Sequence, residues 1–480
     1  MPRVERKVWR ENFGEWFRDV LFKAQILDYR YPIKGVGVWP PYGMKIRNKV
    51  ISIIKELLDS TGHEEVLFPT LIPEDFIRKE SEHIAKFEEE IFWVTKGGKS
   101  ELEARYALRP TSETAIMPMI RLWIHSHADL PLKIYQVVNI FRCETKATQP
   151  MIRLREVMMF KEAHTVHATR EEAEEQVREA IGIYKKFFDS LGISYLISQR
   201  PEWDKFAGAV YTIAFDTIMP DGKTLQIGTV HYLGQNFSRA FDVTYLTPEG
   251  VHEYAHTTSY GISERVIAAL VALHGDDIGL VLHPAVAPIE AVVIPIPAKE
   301  GGLGVVVDKC REARERLEDA GFSVILDERE DMTPGEKFYY WDRRGIPVRV
   351  EIGPRDVERG AVTLVRRDTL EREEVPEGDL AEEVGRMLRD IGENLRKRAW
   401  EWLESNFSRH ENLDDARRTL ASRGGVVEVP WCGREECGHK IEEALEGEAL
   451  GVDLEETADG EPCAICGSTS ARYLRVSKRY

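Results

Sequence analysis

Near Ala287 the hydrophobic pattern of the chain changes character, and that change limits how many cores it must build. Before it, strand-like runs recur at Lys133 to Phe141, Val157 to Ala163 and Tyr211 to Ile218, with one helical stretch at Glu171 to Ser190. That mixture predicts a mostly antiparallel sheet with helices, an α+β unit. After it, AVVIPIP, a helix over Asp308 to Ala320, SVILDE, a helix near Lys337, VRVEIG and TLVRRD alternate strand with helix. This predicts a compact α/β unit of roughly a hundred residues with some parallel pairing. A helix-rich stretch, Leu380 to Glu404, then leads into a region that holds four of the six cysteines. A chain of 480 residues is too long for one core at about 100–200 residues per domain. Three units are expected, over residues 1–286, 287–395 and 396–480.

Nearer the N-terminus, KIRNKVISIIKELLDST places Ile46, Val50, Ile53, Ile54, Leu57 and Leu58 on one helical face, with Gly62 as the stop. EEVLFPT follows and reads as a strand ending in Pro69.

Composition serves mainly to exclude. Hydrophobic residues at 43% and charged residues at 31% rule out collagenous, low-complexity and wholly disordered chains. The longest apolar stretch, Val266 to Pro297, is broken by His274, Asp276, Asp277 and prolines before it reaches the roughly 18 residues of a membrane span. MPRVERKVWREN has no apolar core of the signal-peptide kind, so a cytoplasmic protein is expected. The 65 Lys and Arg against 82 Asp and Glu give 65 − 82 = −17, which argues mildly against a nucleic-acid partner. Local basic clusters matter more than the sum, and they occur at Lys337 to Arg349, at Arg366 and Arg367, and at Lys478 and Arg479. The commoner meaning of each is a solvated surface, as for the acidic run around Glu371 to Glu383.

Cys432, Cys437, Cys463 and Cys466 form two pairs at short spacing. Four soft thiolates suit tetrahedral Zn²⁺ in a closed, structural site, with His439 as the only nearby competing ligand. Six cysteines in a chain this size do not read as a disulfide framework.

Three motifs carry charge to element ends. FRCE (Phe141 to Glu144) closes a strand, and a polar loop with Arg153 and Arg155 returns as IRLREVMMFKEAH. Such clustered arginines suit phosphate and carboxylate oxygens, although paired surface arginines are common. GISER (Gly261 to Arg265) opens an apolar helix, with Ser263 able to cap it and Arg265 in its first turn. A cation matches the positive end of a helix dipole poorly unless an anion binds there. RPTSETA (Arg109 to Ala115) precedes a helix, and its plain reading is an N-cap.

Taken together, the helix and strand ending in Pro69, FRCE with its arginine loop, and GISER occur in the order and spacing of class II aminoacyl-tRNA synthetases. With RPTSETA, QIGTVHYLGQNFSRAFDV, HTTSYGISERV and VRVEIGPRDVERG, the chain resembles prolyl-tRNA synthetase in its archaeal and eukaryotic form over essentially its whole length. The resemblance implies an antiparallel-sheet class II catalytic domain, an α/β anticodon-binding domain and a small zinc-binding C-terminal domain. It implies activation of L-proline with ATP and Mg²⁺ to prolyl-adenylate, followed by transfer to tRNA(Pro). Arg142 would bridge the amino-acid carboxylate and the α-phosphate, Glu144 would meet the adenine amino group, and Arg265 would hold the γ-phosphate side. Gln226 and Thr229 resemble nucleotide contacts. Thr111, Glu113 and His231 resemble the surroundings of the prolyl ring and its ammonium, with Phe160 as an aromatic wall and Ser263 beside them.

One departure stands out: Val157 or Met158 falls where related motifs place a phenylalanine against adenine. Whether Arg153 or Arg155 reaches the γ-phosphate stays open. Lys337, Arg349, Glu351, Arg355 and Asp356 are the polar candidates for reading unpaired anticodon bases. Val166 to His256 is too short for the large editing insertion of bacterial relatives, so alanine is expected to be charged without self-correction. A homodimer paired through the first motif, with no membrane association, is implied, and Tyr480 matches the tyrosine that ends this form of the family. Two other readings remain: a class II enzyme for another amino acid, which for threonine would place a Cys and His zinc set in the substrate pocket, and a non-catalytic tRNA-binding paralogue, against which Arg142, Glu144 and Arg265 speak.

Overall fold

The helix expected over residues 45–61 runs from Pro41 to Asp59 (α1), with the proline at its first turn where no backbone donor is needed. It buries Ile46, Val50, Ile51, Ile54 and Leu58. The computed structural model describes residues 5–79, 88–297, 303–458 and 460–480. The chain after α1 forms only a two-residue strand, Glu64–Glu65 (β1), paired in parallel with Leu132–Phe141 (β2). The longer strand expected from EEVLFPT is not formed: the Val66 N–H still reaches the Tyr135 carbonyl at 2.8 Å, but the Phe68 N–H goes to the Gln136 side chain at 2.9 Å instead of to a ladder carbonyl.

The remaining strands of this sheet are Glu156–His167 (β3), Leu196–Gln199 (β4), Tyr211–Ile218 (β5), Thr224–Gly234 (β6) and His256–Ile262 (β7). Their order is β1-β2-β3-β7-β6-β5-β4, and every pair except the first is antiparallel. The expectation for the first unit therefore holds. Three helices matter to its site: Glu113–Trp123 (α2), Arg170–Ser190 (α3) and Arg265–His274 (α4). A capping box between Thr169 and Glu172 starts α3. Its Tyr184, Phe187 and Phe188 pack with Phe215 and Tyr260 of the sheet, and α4 is buried from Val266 to His274.

In the second unit Ala291–Pro295 (β8) pairs in parallel with Val324–Leu326 (β9) and Val348–Ile352 (β10). Ala361–Arg366 (β11) and Arg372–Pro376 (β12) add antiparallel edges. Leu303–Asp319 (α5) and Pro334–Arg344 (α6) are the connecting helices. One helix, Leu380–Ser405 (α7), crosses residue 395, so the second and third units are joined by a shared helix with no linker between them. Its buried Leu380, Val384, Met387, Leu388, Ile391 and Leu395 keep a helical spacing into the second core.

The third unit is a four-stranded sheet, Phe407–Arg409 (β13), Val426–Trp431 (β14), Glu448–Gly451 (β15) and Arg472–Ser477 (β16), in the order β13-β14-β16-β15. It docks against the edge of the first sheet: Gln199 and Val452 exchange backbone hydrogen bonds at 2.9 and 3.0 Å. Beyond β16 the chain turns back onto β6, where Thr224 donates to the Lys478 carbonyl at 2.8 Å.

Several members of the basic clusters are withdrawn from the solvated surface expected of them, although Lys478 is exposed. Lys337, Arg344, Arg349 and Arg367 are all buried. Arg367, only 1% exposed, reaches across from the second unit to Asp276, just beyond α4, and forms a two-pronged ion pair with it, one prong 2.8 Å long.

Candidate active site

The central strands of the first sheet open onto a cavity of about 450 Å³. Arg142 and Glu144 enter it from the end of β2, Arg153 from the loop back to β3, and Val157 and Phe160 from β3 itself. Thr229 and His231 alternate along β6 and so share one face of the sheet, and Gln226 lines the same cavity from beyond a register shift opposite Phe215 and Asp216. Ser263 and Arg265 arrive at the start of α4, and Thr111 just before α2. Residues separated by more than 150 positions are thus brought to one space.

Arg153, and not Arg155, lines the cavity; the Arg155 N–H is engaged by the Gly35 carbonyl at 2.8 Å. Val157, and not Met158, occupies the wall. The aromatic surface is supplied by Phe160 and by Phe206, whose ring lies 4.6 Å from that of His231. Gly261 leaves room for Phe160, since a Cβ there would stand 3.3 Å from the ring. His231 is fixed through Nδ1 to the Thr212 hydroxyl at 2.9 Å.

Glu113 lies behind the wall, 3% exposed. Its carboxylate accepts from the Thr111 hydroxyl and, at 3.1 Å, from Ser259 Oγ. The capping role expected of this segment is not made: Ser112 stands at the N-cap of α2 but bonds to Glu162 instead. At α4 the Ser263 hydroxyl accepts the Arg265 N–H at 3.3 Å, with Glu264 at the cap position itself.

The electrostatics favour an anion. Arg265 donates from Nε to the Ile152 carbonyl at 2.8 Å. Burial, reinforced by Arg142, Arg153 and Arg479, pushes its pKa down to about 10. Burial also lowers that of Arg142, against the pull of Glu90, Glu113, Glu144 and Glu162. Glu264 does not neutralise its neighbour; its carboxylate accepts the N–H groups of Met158 and Met159, and burial raises its pKa to about 7. Arginines facing a cavity at a helix N-terminus are arranged to take phosphate or carboxylate oxygens.

Arg200, Phe206 and Arg479 line the cavity, although the sequence did not mark them as site residues. Arg200 holds Gln226 Oε1 at 2.9 Å and Asp216 at 2.8 Å, and its other arm is fixed by the Leu450 carbonyl of the third unit. Arg479 comes from the third unit's last residues and pairs with Asp204 at 2.8 Å. The only sequence signal for it was the Lys478 and Arg479 pair; the fold-back is a tertiary event. Tyr480 packs beside it, its hydroxyl donating to Asp221 at 2.7 Å.

The four cysteines converge, with their Sγ atoms all within 4.8 Å of one another. The Cys432 to Cys466 separation of 3.8 Å matches the roughly 3.8 Å edge of a tetrahedron with Zn–S bonds of about 2.3 Å. His439 is turned away, its ring 4.6 Å from that of Trp203 and its Nδ1 bonded to Glu442 at 2.9 Å. Among the described residues no other group of His, Cys, Asp or Glu is so arranged.

The anticodon candidates divide. Lys337 donates to the Asp327 carbonyl at 2.9 Å, and Arg349 and Glu351 pair at 2.9 Å inside the unit with Asp342 and Arg372. All three are buried, each with its partners supplied from within the unit, while Arg355 is exposed. Elsewhere, Leu67 and Trp123 are exposed on either side of Phe68, beside Pro69. No helix among the described residues is long and apolar enough to cross a membrane.

Comparison with known proteins places these features. The model of the tRNA synthetase class II core domain (G, H, P, S and T) matches residues 92–274, that of the anticodon binding domain residues 290–387, and that of the prolyl-tRNA synthetase C-terminal domain residues 413–480. A proline--tRNA ligase of Metallosphaera sedula is 54% identical over 480 residues, 100% of each chain. One from Methanopyrus kandleri is 55% identical over 472 residues, 98% of this chain and 96% of that one. Giardia lamblia prolyl-tRNA synthetase in complex with prolyl-adenylate matches with a TM-score of 0.96 at 35% identity, covering 100% of both chains.

Proposed function

Because the chain belongs to the prolyl-tRNA synthetase family, we propose that its cavity activates L-proline with ATP and then passes it to the 3′ end of tRNA(Pro). The observation that carries this reading is the meeting of Arg142, Glu144, Arg265, Thr111 and His231 around one space. Arg142 bridges the proline carboxylate and the α-phosphate, Glu144 accepts from the adenine amino group, and Arg153 and Arg265 take the γ-phosphate side. Gln226 and Thr229 contact the nucleotide. Thr111, Glu113, Phe160, His231 and Ser263 surround the prolyl ring and its ammonium.

The proline carboxylate is itself the nucleophile, so no strong base is required at α-phosphorus. Positioning and charge neutralisation by the arginines supply most of the barrier reduction. Mg²⁺, when bound with ATP, would share with these arginines the neutralisation of the phosphate charge. The four thiolates would hold a structural Zn²⁺ that closes the third unit. Between β3 and β7 the chain is taken up by α3, β4, β5, β6 and short elements of the same unit, which supports the absence of an editing insertion. Alanine lacks methylenes that the proline pocket contacts, and each is worth only about 1–3 kcal/mol of discrimination, so alanine is activated and alanyl-tRNA persists.

A threonine-type pocket is disfavoured because the thiolate cluster lies in the third unit, and a silent tRNA-binding paralogue because the phosphate-facing arginines are in place. The exposed Leu67 and Trp123 support a homodimer through this face. Arg355 is the anticodon candidate that solvent exposure favours. The setting is cytoplasmic translation.

The test is amino-acid-dependent ATP–pyrophosphate exchange with proline, alanine, cysteine, threonine and glycine, with Arg142→Ala as control. Strong exchange with proline, weaker with alanine and lost in the variant, is expected. Exchange with none of the five from folded, zinc-loaded protein would sink the reading.

A further inference from the structure

Glu162 has no part in the roles assigned above, yet it is buried in the middle of the sheet, in register with Gln136 of β2 and Gly261 of β7. A buried carboxylate is tolerated only where its oxygens are satisfied. Here Oε1 accepts from the Ser112 hydroxyl and from Gln136 Nε2 at 2.9 Å, and Oε2 meets His164 Nε2 at 3.1 Å. Burial pulls the His164 pKa down, but the hydrogen bond and charge of Glu162 outweigh it and leave it raised. The ring therefore caps the far side of the carboxylate and leaves the near side to Ser112 and Gln136.

Ser112 is the informative partner. It stands at the N-cap of α2, where a serine ordinarily satisfies a free helix N–H, and it forgoes that bond. A local rule broken at a buried position calls for a reason elsewhere. The residues on either side of it are Thr111, on the cavity wall, and Glu113, joined to Thr111 and Ser259. Gln136, which bonds both Ser112 at 3.2 Å and Glu162, also receives the Phe68 N–H. Glu162 thus pins the centre of the turn that sets Thr111 on the cavity wall and Glu113 behind it.

We propose that Glu162 is a positioning residue for amino-acid recognition: through Ser112 it holds the Thr111–Glu113 turn in the shape that receives the secondary ammonium of the substrate. This rests on the reading of the cavity as a proline site.

Pyrophosphate exchange on the full-length protein separates the KM for proline from the KM for ATP in Ser112→Ala, Glu162→Ala, their double variant and Glu162→Gln. Each alanine variant is expected to raise the proline KM about tenfold while the ATP KM stays within about twofold. The double variant is no worse than the poorer single one, because both break the same link. Glu162→Gln, of the same shape and still an acceptor for Ser112, restores most of the loss. An ATP KM that rises in step, additive losses in the double variant, or an unmoved proline KM overturns the proposal. Ser112→Ala removes a single oxygen and decides the matter if Glu162→Ala does not fold. A parent protein without proline-dependent exchange is the failure of the proline reading; a proline-active parent with unmoved variants is the failure of this inference alone.

Discussion

Arg265 and Arg367 are both arginines withdrawn from water, and they are opposites. Arg367 is closed off: two nitrogens meet the Asp276 carboxylate, Nε meets the Asp342 carbonyl, and its pKa rises because Asp276 outweighs the cost of burial. Arg265 rests on carbonyls, has Arg142, Arg153 and Arg479 against the single carboxylate of Glu144 for charged neighbours, and is pushed down by burial and those arginines to about 10. A buried cation whose charge is answered within the protein is architecture. One whose charge is left to an incoming anion is a binding site, and its strain is relieved only when that anion arrives.

The largest effect should come from breaking the closed pair. Arg367→Ala leaves Asp276 buried without its ion-pair partner, held only by the Ile278 and Gly279 N–H groups and the field of Arg6 and Arg398, which costs up to about 3–5 kcal/mol of stability. Denaturant unfolding of the zinc-loaded protein checks this, and a change below about 1 kcal/mol would show that the pair behaves as a surface one. Next in size is Arg265→Ala, expected to lower proline-dependent exchange by about 10²–10³ while leaving the unfolding midpoint unchanged or slightly higher. A variant that loses stability instead of exchange would erase the contrast between the two arginines.

Neither arginine could be sorted by local sequence alone. GISER and FRCE were legible because strand ends and helix starts are local signals, and the returning strands, α3 and the parallel pairing of β8 followed from periodicity. The partners of buried charge are not local. Asp276 stands 91 residues from Arg367, and Arg200 meets Gln226 only because β4, β5 and β6 lie side by side. The same holds for Lys337, Arg349 and Glu351, whose partners Asp327, Asp342 and Arg372 are recognised only once the unit is folded. Phe206 carried no signal at all; it faces His231 through an irregular segment before β5. The four cysteines were the reverse case, because metal geometry requires only that they meet.

Glu264 sharpens the comparison from within the open site, since it lies next to Arg265 yet turns its carboxylate to backbone N–H groups. Burial raises its folded pKa from 4.5 to about 7, so the folded state holds a proton that the unfolded chain has released. Stability from this group is therefore full below pH 4.5 and is lost as the pH rises toward 7, with a slope of at most about 1.4 kcal/mol per pH unit. Glu264→Gln should flatten the stability profile in that window, and an unchanged slope would mean that Arg265 or Arg47 already neutralises the carboxylate.

The smallest effect tests the idea of an unanswered charge most directly. An anion that binds only the folded protein stabilises it by RT ln(1 + L/Kd), where L is its free concentration, so pyrophosphate at about five times its dissociation constant should add about 1 kcal/mol. In Arg265→Ala the same concentration should add almost nothing, because the charge that the anion answers is gone. In Arg367→Ala the increment should persist in full above a lower baseline, because that charge was answered by Asp276 before any ligand came. Equal increments in all three proteins would place the anion elsewhere, and would mean that Arg265 is held by its carbonyls for architecture alone.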